Sequence, residues 1–268
     1  MERVDTYTHG HHESVLRSHR WRTAENSAGY LLPYLEEGND VLDVGCGPGT
    51  ITVGLAKHVR PGRVLGIDRS TDVLMKASEL AEASDVDNVL FEQADVYDLP
   101  YARGAFDVVH AHQVLQHLSD PIAALKEMAR VTRHGGLIAV RDADYSAMSW
   151  YPASAGLEKW QELYHQVTEK NNAEADAGRR LLAWAREAGF EDITATSGTW
   201  TYADDDSRTW WSNLWADRLE QSSLGRQILT GGFGTETEIT EVAQAWRDWG
   251  QEEDGWFVVV HGELIIRM

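Results

Sequence analysis

The segment "VLDVGCGPGT", Val41 to Thr50, passes from a short apolar run through three glycines into a helical pattern. Gly45, Gly47 and Gly49 permit positive φ and let the backbone approach a ligand closely. The N-terminus of the following helix favours polar or anionic ligand groups. Asp68 ends the next apolar run, 21 residues after Gly47, at an offset where a carboxylate can bind ribose hydroxyls. The segment therefore predicts a strand–loop–helix unit that binds a nucleotide-like ligand.

Around this segment, apolar runs alternate with helical periodicity, which is typical of βαβ units and a parallel sheet with helices on both faces. Strands are predicted at 40–45, 63–68, 88–95, 105–112, 137–143, 192–202 and 255–268, and helices at 22–36, 50–59, 71–83, 120–132, 156–170 and 175–188. Residues 203–252 are expected to be mainly helical. We expect one domain in three parts: an N-terminal helical flap (1–37), a ligand-binding core (38–145), and a region that completes the sheet and adds helical lid insertions (146–268).

Composition restricts the partners. The 268-residue chain is 43% hydrophobic, enough to bury a core, and carries a formal net charge of −19. Such an acidic protein is a poor partner for nucleic acid or an anionic membrane surface. The single cysteine, Cys46, excludes an internal disulfide framework. No apolar run reaches 18 residues and no secretory signal is present, so a cytoplasmic protein is expected. The sequence leaves open whether the chain forms a homodimer.

Two features of the glycine segment narrow the ligand. The dinucleotide fingerprint requires a glycine where this chain has Thr50. This difference argues against the hypothesis that the protein is a nicotinamide-dependent oxidoreductase. Asp43 suits a cationic ligand better than a pyrophosphate. Together with "GIDRS", "QADVYDLPY" (93–101) and "FDVVHAHQVLQHLSDP" (106–121), "LDVGCGPGT" resembles the ordered motifs of class I S-adenosylmethionine-dependent methyltransferases, in particular the ubiquinone and menaquinone C-methyltransferase group. The resemblance covers about residues 38–145.

The resemblance implies a Rossmann-like α/β fold with a seven-stranded, mostly parallel sheet, helices on both faces and an antiparallel last strand. It also implies S-adenosyl-L-methionine as cofactor, bound at the carboxyl ends of the strands. The positions that it assigns to the cofactor run from the glycine loop to the end of the fourth strand. They are Asp43, Gly45, Cys46 and Gly47 towards the methionyl part, Asp68 at the ribose, Arg69, Ala94, Asp95 and Val96 at the adenine, and Ala111 and His112 at the sulfonium end.

Methyl transfer depends mainly on alignment of the two reactants, with proton removal from the acceptor as a further contribution. His112, Gln113 and His117 follow the fourth strand, where the acceptor should arrive, and are the catalytic candidates. His117 is either a base or a histidine that bonds the backbone at a helix start. His110 alternates away from His112, and we expect it to pack.

The N-terminal segment contains His9, His11, His12 and His19. It is not an uninterrupted tag, and no cluster of cysteines or acids is matched to it by spacing. Asp142 and Asp144 follow the fifth strand, but two acids are weak evidence for metal, so no metal site is predicted. We interpret residues 7–22 as a flap, in which Tyr7 and Arg22 reach the cofactor. The alternative is a solvated polar helix.

The 11 tryptophans are concentrated towards the C-terminus, where Trp211 and Trp215, and Trp246 and Trp249, share helix faces. They predict packed lid helices and an aromatic pocket for a flat or apolar acceptor. The function that we expect is methyl transfer from S-adenosylmethionine to a small organic, aromatic or apolar molecule. A non-catalytic protein that binds the same cofactor is the alternative. The arsenite-methylating relatives need several cysteines, whereas this chain has only Cys46, which argues against that activity.

Overall fold

In a computed structural model of the chain, the described residues are Thr8, His19 and residues 21–268. The predictions for Tyr7, His9, His11 and His12 therefore lie outside the described residues. Among the described residues, no helix is both long and apolar enough to cross a lipid bilayer.

The centre of the molecule is a seven-stranded sheet in the order β3-β2-β1-β4-β5-β7-β6. Its strands are β1 (Val41–Val44), β2 (Val64–Asp68), β3 (Val89–Gln93), β4 (Phe106–His112), β5 (Thr132–Tyr151), β6 (Ile193–Tyr202) and β7 (Trp256–Arg267). β7 is antiparallel to both of its neighbours, β5 and β6, whereas the pairs among β1 to β5 are parallel. The predicted Rossmann-like fold is confirmed. The predicted 137–143 strand is too short, because β5 continues pairing with β7 as far as Tyr151 opposite Trp256.

Helices cover both faces of the sheet. They are α1 (Ala24–Ser27), α2 (Thr50–Val59), α3 (Thr71–Ala83), α4 (Pro121–Val131), α5 (Ala155–Lys170), α6 (Ala177–Glu187), α7 (Asp205–Gln221), α8 (Ser223–Gly231) and α9 (Glu236–Trp249). The predicted continuous helix at 22–36 is wrong. A Thr23 capping box starts α1, but only one turn follows, and a 3₁₀ turn at Leu32–Tyr34 is separate from it. Pro33 has no N–H to continue an α-helical ladder.

Three buried clusters fill the molecule. One lies between the sheet and α4 and α6, and a second lies on the opposite face under α1, α2 and α3. The third is aromatic and joins α5, α7, α8 and α9 to the extended ends of β5, β6 and β7. In sequence, α7, α8 and α9 form the connection between β6 and β7. This connection therefore supplies most of the helices of the aromatic cluster.

The glycine loop is a tight reversal between β1 and α2. Gly45, Gly47 and Gly49 have φ values of 66°, 54° and 80°, in the left-handed region that glycine occupies most easily. A Cβ on Gly49 would lie 2.8 Å from the Cβ of Ala77 on α3. The third glycine is therefore required by backbone conformation and by close packing against α3.

Gly49→Ala should destabilise the fold more than a substitution with backbone strain alone. The matched control is Gly38→Ala, where φ is +89° and no atom lies within 4 Å of the added Cβ. We expect a loss of about 1 kcal/mol for Gly38→Ala, and a further 1–3 kcal/mol or so for Gly49→Ala from overpacking. Equilibrium urea unfolding measures both, and equal losses would contradict the packing argument.

Candidate active site

A cavity of about 480 Å³ lies at the carboxyl ends of β1, β2 and β4 and extends towards β6 and α7. We call the part around the glycine loop and β2 the loop half. The part formed by tryptophan and tyrosine rings is the aromatic half. The predicted positions that line the cavity lie in the loop half and at its junction with the aromatic half. They are Arg22, Asp43, Gly45, Cys46, Gly47, Asp68, Arg69, Ala94, Val96, His112, Gln113 and His117.

In the loop half, two carboxylates are held by short local bonds. Gly47 N donates to Asp68 Oδ2 at 3.1 Å, and Ser70 N donates to Asp68 Oδ1 at 2.9 Å. These bonds fix Asp68 beside the loop while each oxygen keeps a lone pair for a further donor. Asp43 is 2% exposed, and both of its oxygens have protein partners: Oδ1 lies 2.7 Å from His110 Nδ1, and Oδ2 accepts from Thr52 Oγ1 at 2.6 Å. His110 therefore packs, as expected, and also holds Asp43.

Two predicted cofactor positions do not line the cavity. Ala111 is fully buried among the side chains on the α4 face of the sheet, because strand alternation directs its methyl group away from His112. The prediction that Ala111 faces the ligand is wrong for its side chain. Asp95 lies between lining residues Ala94 and Val96, but its Oδ1 accepts from Tyr97 N at 3.0 Å and turns the carboxylate towards its own loop.

The three catalytic candidates meet where the halves join. His112 ends β4, is 5% exposed, and neither of its ring nitrogens has a hydrogen-bond partner among the described residues. Burial, with the nearby charges of Arg22 and Arg141, lowers the pKa of His112 well below its ordinary value. His117 ends a 3₁₀ turn, and burial and Arg22 lower its pKa to about 3. Both imidazoles are therefore neutral at pH 7.

Gln113 lies at the centre of a partly buried network of polar side chains that sequence patterns did not indicate. Its Oε1 accepts from Arg22 Nη2 at 2.5 Å, and its Nε2 lies 3.0 Å from His261 Nε2. Arg141 Nη2 lies 3.1 Å from His261 Nδ1, and Arg141 Nε donates to Glu263 at 3.0 Å. Gln113 has φ +53°, a costly conformation that is common at functional sites. In the sequence, the polar residues His261 and Glu263 at alternate positions of an apolar strand are the signal that could have indicated this network.

The aromatic half is a set of rings packed edge to face and in stacks. Trp21 lies 5.2 Å from Trp200 and 5.9 Å from Tyr202, measured between ring centroids, and Tyr202 stacks on Trp211 at 4.3 Å. The Arg141 guanidinium lies 4.9 Å from the Trp200 ring centre, within cation–π range. Trp21 and Arg22 bring the end of the predicted flap into the cavity wall.

A methyltransferase-domain family model matches residues 35–202 of the chain. An uncharacterized methyltransferase of Schizosaccharomyces pombe is 33% identical over 97% of this chain and 96% of its own length. The chain belongs to this methyltransferase family. The ubiquinone/menaquinone biosynthesis C-methyltransferase UbiE of Bdellovibrio bacteriovorus is 32% identical over 67% of this chain and 81% of its own, which confirms the resemblance to that group.

The fold is shared with solved methyltransferases. The Haemonchus contortus phosphoethanolamine N-methyltransferase 2 in complex with S-adenosyl-L-methionine superposes with a TM-score of 0.54. It is 16% identical, over 87% of this chain and 49% of its own. Our protein is a class I enzyme that uses S-adenosylmethionine. The loop half fits this cofactor, since it offers a fixed carboxylate for a ribose, a glycine-rich backbone loop, and an apolar wall of Val73, Ala94 and Val96 for an adenine.

Asp142 and Asp144, which were expected after the fifth strand, lie within β5, and each accepts hydrogen bonds from different partners. Asp142 is fully buried and accepts from Gln116 N, and burial raises its pKa to about 8. Asp144 accepts from Arg179 through both oxygens at 2.6 Å. Within the described part of the chain, no group of three or more His, Cys, Asp or Glu is arranged to hold a metal ion.

The neutral histidines make the stability of the methyltransferase depend on pH. The unfolded chain protonates histidine near pH 6.5, whereas the fold keeps His112 neutral, so protons favour the unfolded state as pH falls. Each such histidine should remove up to about 1.4 kcal/mol per pH unit below pH 6.5, down to its folded-state pKa. Asp142 opposes this trend, because its raised pKa favours the folded state as pH falls from about 8.

A variant isolates the contribution of His112. His112→Asn should flatten the dependence of the unfolding free energy on pH between 6.5 and 5, by roughly one histidine. His134→Asn, at an exposed position, is the matched control. Urea unfolding at several pH values gives the slopes, and parallel curves for wild type and His112→Asn would contradict the expected proton linkage.

Asp68 should contribute to cofactor affinity. Asp68→Ala removes the carboxylate that is fixed by Gly47 and Ser70, and should weaken S-adenosylhomocysteine binding by about 1–3 kcal/mol. Asp72→Ala, at an exposed position in the first turn of α3, is the control. Isothermal titration calorimetry measures both affinities, and an unchanged Kd for Asp68→Ala would remove this residue from the site.

Proposed function

We propose that the enzyme transfers the methyl group of S-adenosylmethionine to a small, flat aromatic molecule that binds in the aromatic half. One observation carries the proposal: a single continuous cavity joins the glycine loop to a wall of tryptophan and tyrosine rings. Such a wall offers large apolar faces with little conformational freedom to lose on binding. An acceptor stacked there would lie next to the loop half.

The residues between the two halves of the cavity support an acceptor that lies next to the cofactor. Val114 packs so closely on the glycine loop that a Cβ on Gly45 would lie 2.5 Å from Val114 Cγ2. His112, two residues earlier, lies 5.7 Å from Trp200 between ring centroids. One short segment after β4 therefore touches both the loop half and the aromatic half. We assign it to alignment of acceptor and donor, the main protein contribution to methyl transfer.

The site residues take the following proposed roles. The loop half residues, with Asp95 at its edge, bind the cofactor, which supplies an activated methyl group when it is bound. Gln113 holds Arg22 in the cavity wall, and His112 and His117 face the acceptor as neutral imidazoles. Residues 1–37 act as the flap, 38–145 as the cofactor-binding core and 146–268 as the sheet completion and lid. The cytoplasmic location and the absence of nucleic-acid and membrane partners stay predictions, and the formation of a homodimer stays open.

Affinity for an aromatic ring should depend on the tryptophan wall. With S-adenosylhomocysteine at saturation, 1-naphthol should bind more tightly than decahydro-1-naphthol, its saturated counterpart. Trp200→Leu should weaken 1-naphthol binding by about 1–2 kcal/mol and leave S-adenosylhomocysteine affinity unchanged. Trp256→Leu, at a 40% exposed ring outside the cavity, is the control. Calorimetric titration measures each affinity.

Two results would contradict the proposal. Equal binding of the aromatic and saturated compounds would remove the argument for a flat acceptor. Binding of aromatic compounds that never yields methylated product, across a panel incubated with methyl-labelled S-adenosylmethionine, would favour the non-catalytic alternative instead.

A further inference from the structure

The polar side chains around Gln113 carry more hydrogen-bond donors than their contacts can use. Arg22 Nη2 donates to Gln113 Oε1 at 2.5 Å, and Gln113 Nε2 lies 3.0 Å from His261 Nε2. Arg141 Nη2 lies 3.1 Å from His261 Nδ1. We call these four residues the Gln113 network. Both of its ends are guanidinium groups, which donate hydrogen bonds and never accept them, so Gln113 and His261 have to supply every acceptor.

The three contacts of the Gln113 network need three acceptors, and only two are present. The Gln113 amide supplies one, its oxygen, because its other end is an NH₂ donor. Burial and the two arginine charges lower the pKa of His261 well below its ordinary value, and a neutral imidazole has one acceptor nitrogen and one N–H. Turning the amide over, or exchanging the tautomer, moves the mismatch to another contact and does not remove it. One contact is therefore always donor against donor.

The surroundings of the two guanidinium groups decide which end of the network can move. Arg141 is 2% exposed, and its Nε donates to Glu263 Oε1 at 3.0 Å. The other Glu263 oxygen accepts from Thr196 Oγ1 at 3.0 Å, so this ion pair is held in place from β6. Taking one partner out of a buried ion pair is costly. Arg22 is instead partly exposed and lines the cavity, and is therefore the end that can leave.

Departure of Arg22 satisfies the groups that stay behind. The Gln113 amide then turns its oxygen to the Nε2–H of His261 and its NH₂ group to the cavity, while His261 Nδ1 accepts from Arg141. With Arg22 on the amide oxygen, His261 instead carries its proton on Nδ1, opposite Arg141. The carbonyl group of Gly198 is an alternative acceptor for a ring N–H of His261, which lets the fold tolerate this arrangement. The two states of the network therefore differ in the tautomer of His261.

The segment that carries Arg22 is attached to the glycine loop. The backbone oxygen of His19 accepts from Thr50 Oγ1 at 2.9 Å and from Arg22 N at 3.1 Å. A Cβ on Gly47 would lie 3.7 Å from His19 Nδ1. Arg22 therefore lies one turn of chain from the part of the cavity that the sequence assigns to the methionyl end of the cofactor, which carries a carboxylate.

We infer that Gln113 and His261 are positioning residues that hold Arg22 in the free enzyme and release it to the carboxylate of the bound cofactor. This inference rests on cofactor binding in the loop half, as proposed above. A carboxylate can accept from a guanidinium through both oxygens, so Arg22 gains a charge-assisted pair when it leaves Gln113. The network loses its donor–donor contact at the same time, which adds to cofactor affinity. The costly φ of +53° at Gln113 is of the kind found in switch regions.

The tautomer of His261 is the direct readout. NMR of the protein labelled with ¹⁵N-histidine shows which ring nitrogen carries the proton, and His261→Asn identifies the signal by its loss. In the free enzyme the proton should be on Nδ1, and with S-adenosylhomocysteine at saturation it should be on Nε2. The decarboxylated analogue of S-adenosylhomocysteine lacks the carboxylate and should leave the proton on Nδ1.

Two variants remove the mismatch without ligand. Arg22→Met takes away one donor and should move the proton of His261 to Nε2 in the free enzyme. The matched control is Arg69→Met, at another arginine that lines the cavity but lies outside the network, and it should leave the proton on Nδ1. Gln113→Glu supplies the missing acceptor, so it should also fix the proton on Nε2 and raise the Tm of the free enzyme by about 2–4 °C. The Kd of S-adenosylhomocysteine should rise about 10-fold or more in Gln113→Glu, because Arg22 stays on the new carboxylate.

The possible results separate this inference from the assignment of the cofactor. The same His261 tautomer with and without S-adenosylhomocysteine, or a switch that the decarboxylated analogue produces equally well, would overturn the inference and leave the cofactor site intact. An unchanged tautomer in free Arg22→Met, or a lowered Tm for Gln113→Glu, would also overturn it. Failure of S-adenosylhomocysteine to bind the wild-type enzyme would instead contradict cofactor binding in the loop half.

Discussion

The reversal of the chain between β1 and α2 is the constraint on which the rest of the site depends. Three glycines in the left-handed region turn the backbone within five residues, and Gly49 brings α2 against α3 at Ala77. The same reversal places Gly47 N on Asp68 at the end of β2. Gly45 leaves room for Val114 after β4. A side chain on Gly45 or Gly49 would push apart elements that together form the cavity.

A second constraint is the burial of the positively charged Arg141 side chain inside an acidic protein. Arg141 is 2% exposed and bonds Glu263, while its charge and that of Arg22 act on the neighbouring imidazoles. Burying an arginine requires such pairing, because an isolated charge in the interior is very costly. The consequence is a positive local potential around His112, in a chain with net charge −19. Burial is the main cause of the lowered pKa of His112, and this potential lowers it further.

The aromatic layer that stabilises the fold is also the layer to which we assign acceptor binding. Trp160, Trp215 and Trp246 are fully buried between α5, α7 and α9, and their rings contact one another at 4.6–6.0 Å. Tyr202 and Trp211 extend this packed layer to the cavity wall. The inner rings hold the outer ones in position, since large aromatic side chains in a packed core have few alternative rotamers. A rigid wall of this kind favours a flat acceptor over a flexible one.

The order of apolar runs and helical patterns was sufficient to predict the seven strands and most of the covering helices, because strand and helix periodicity depends on neighbouring residues. The family was predicted from the resemblance of four ordered motifs between Leu42 and Pro121. The helix predicted at 22–36 was wrong, since Pro33 and tertiary packing outweigh its spacing of leucines. Only the tertiary structure showed that Gln113 contacts His261, which in turn contacts Arg141. It also showed that the Ala111 side chain does not line the cavity. These contacts link residues that are far apart in the chain, and a side chain's direction at a strand end depends on what packs against each face.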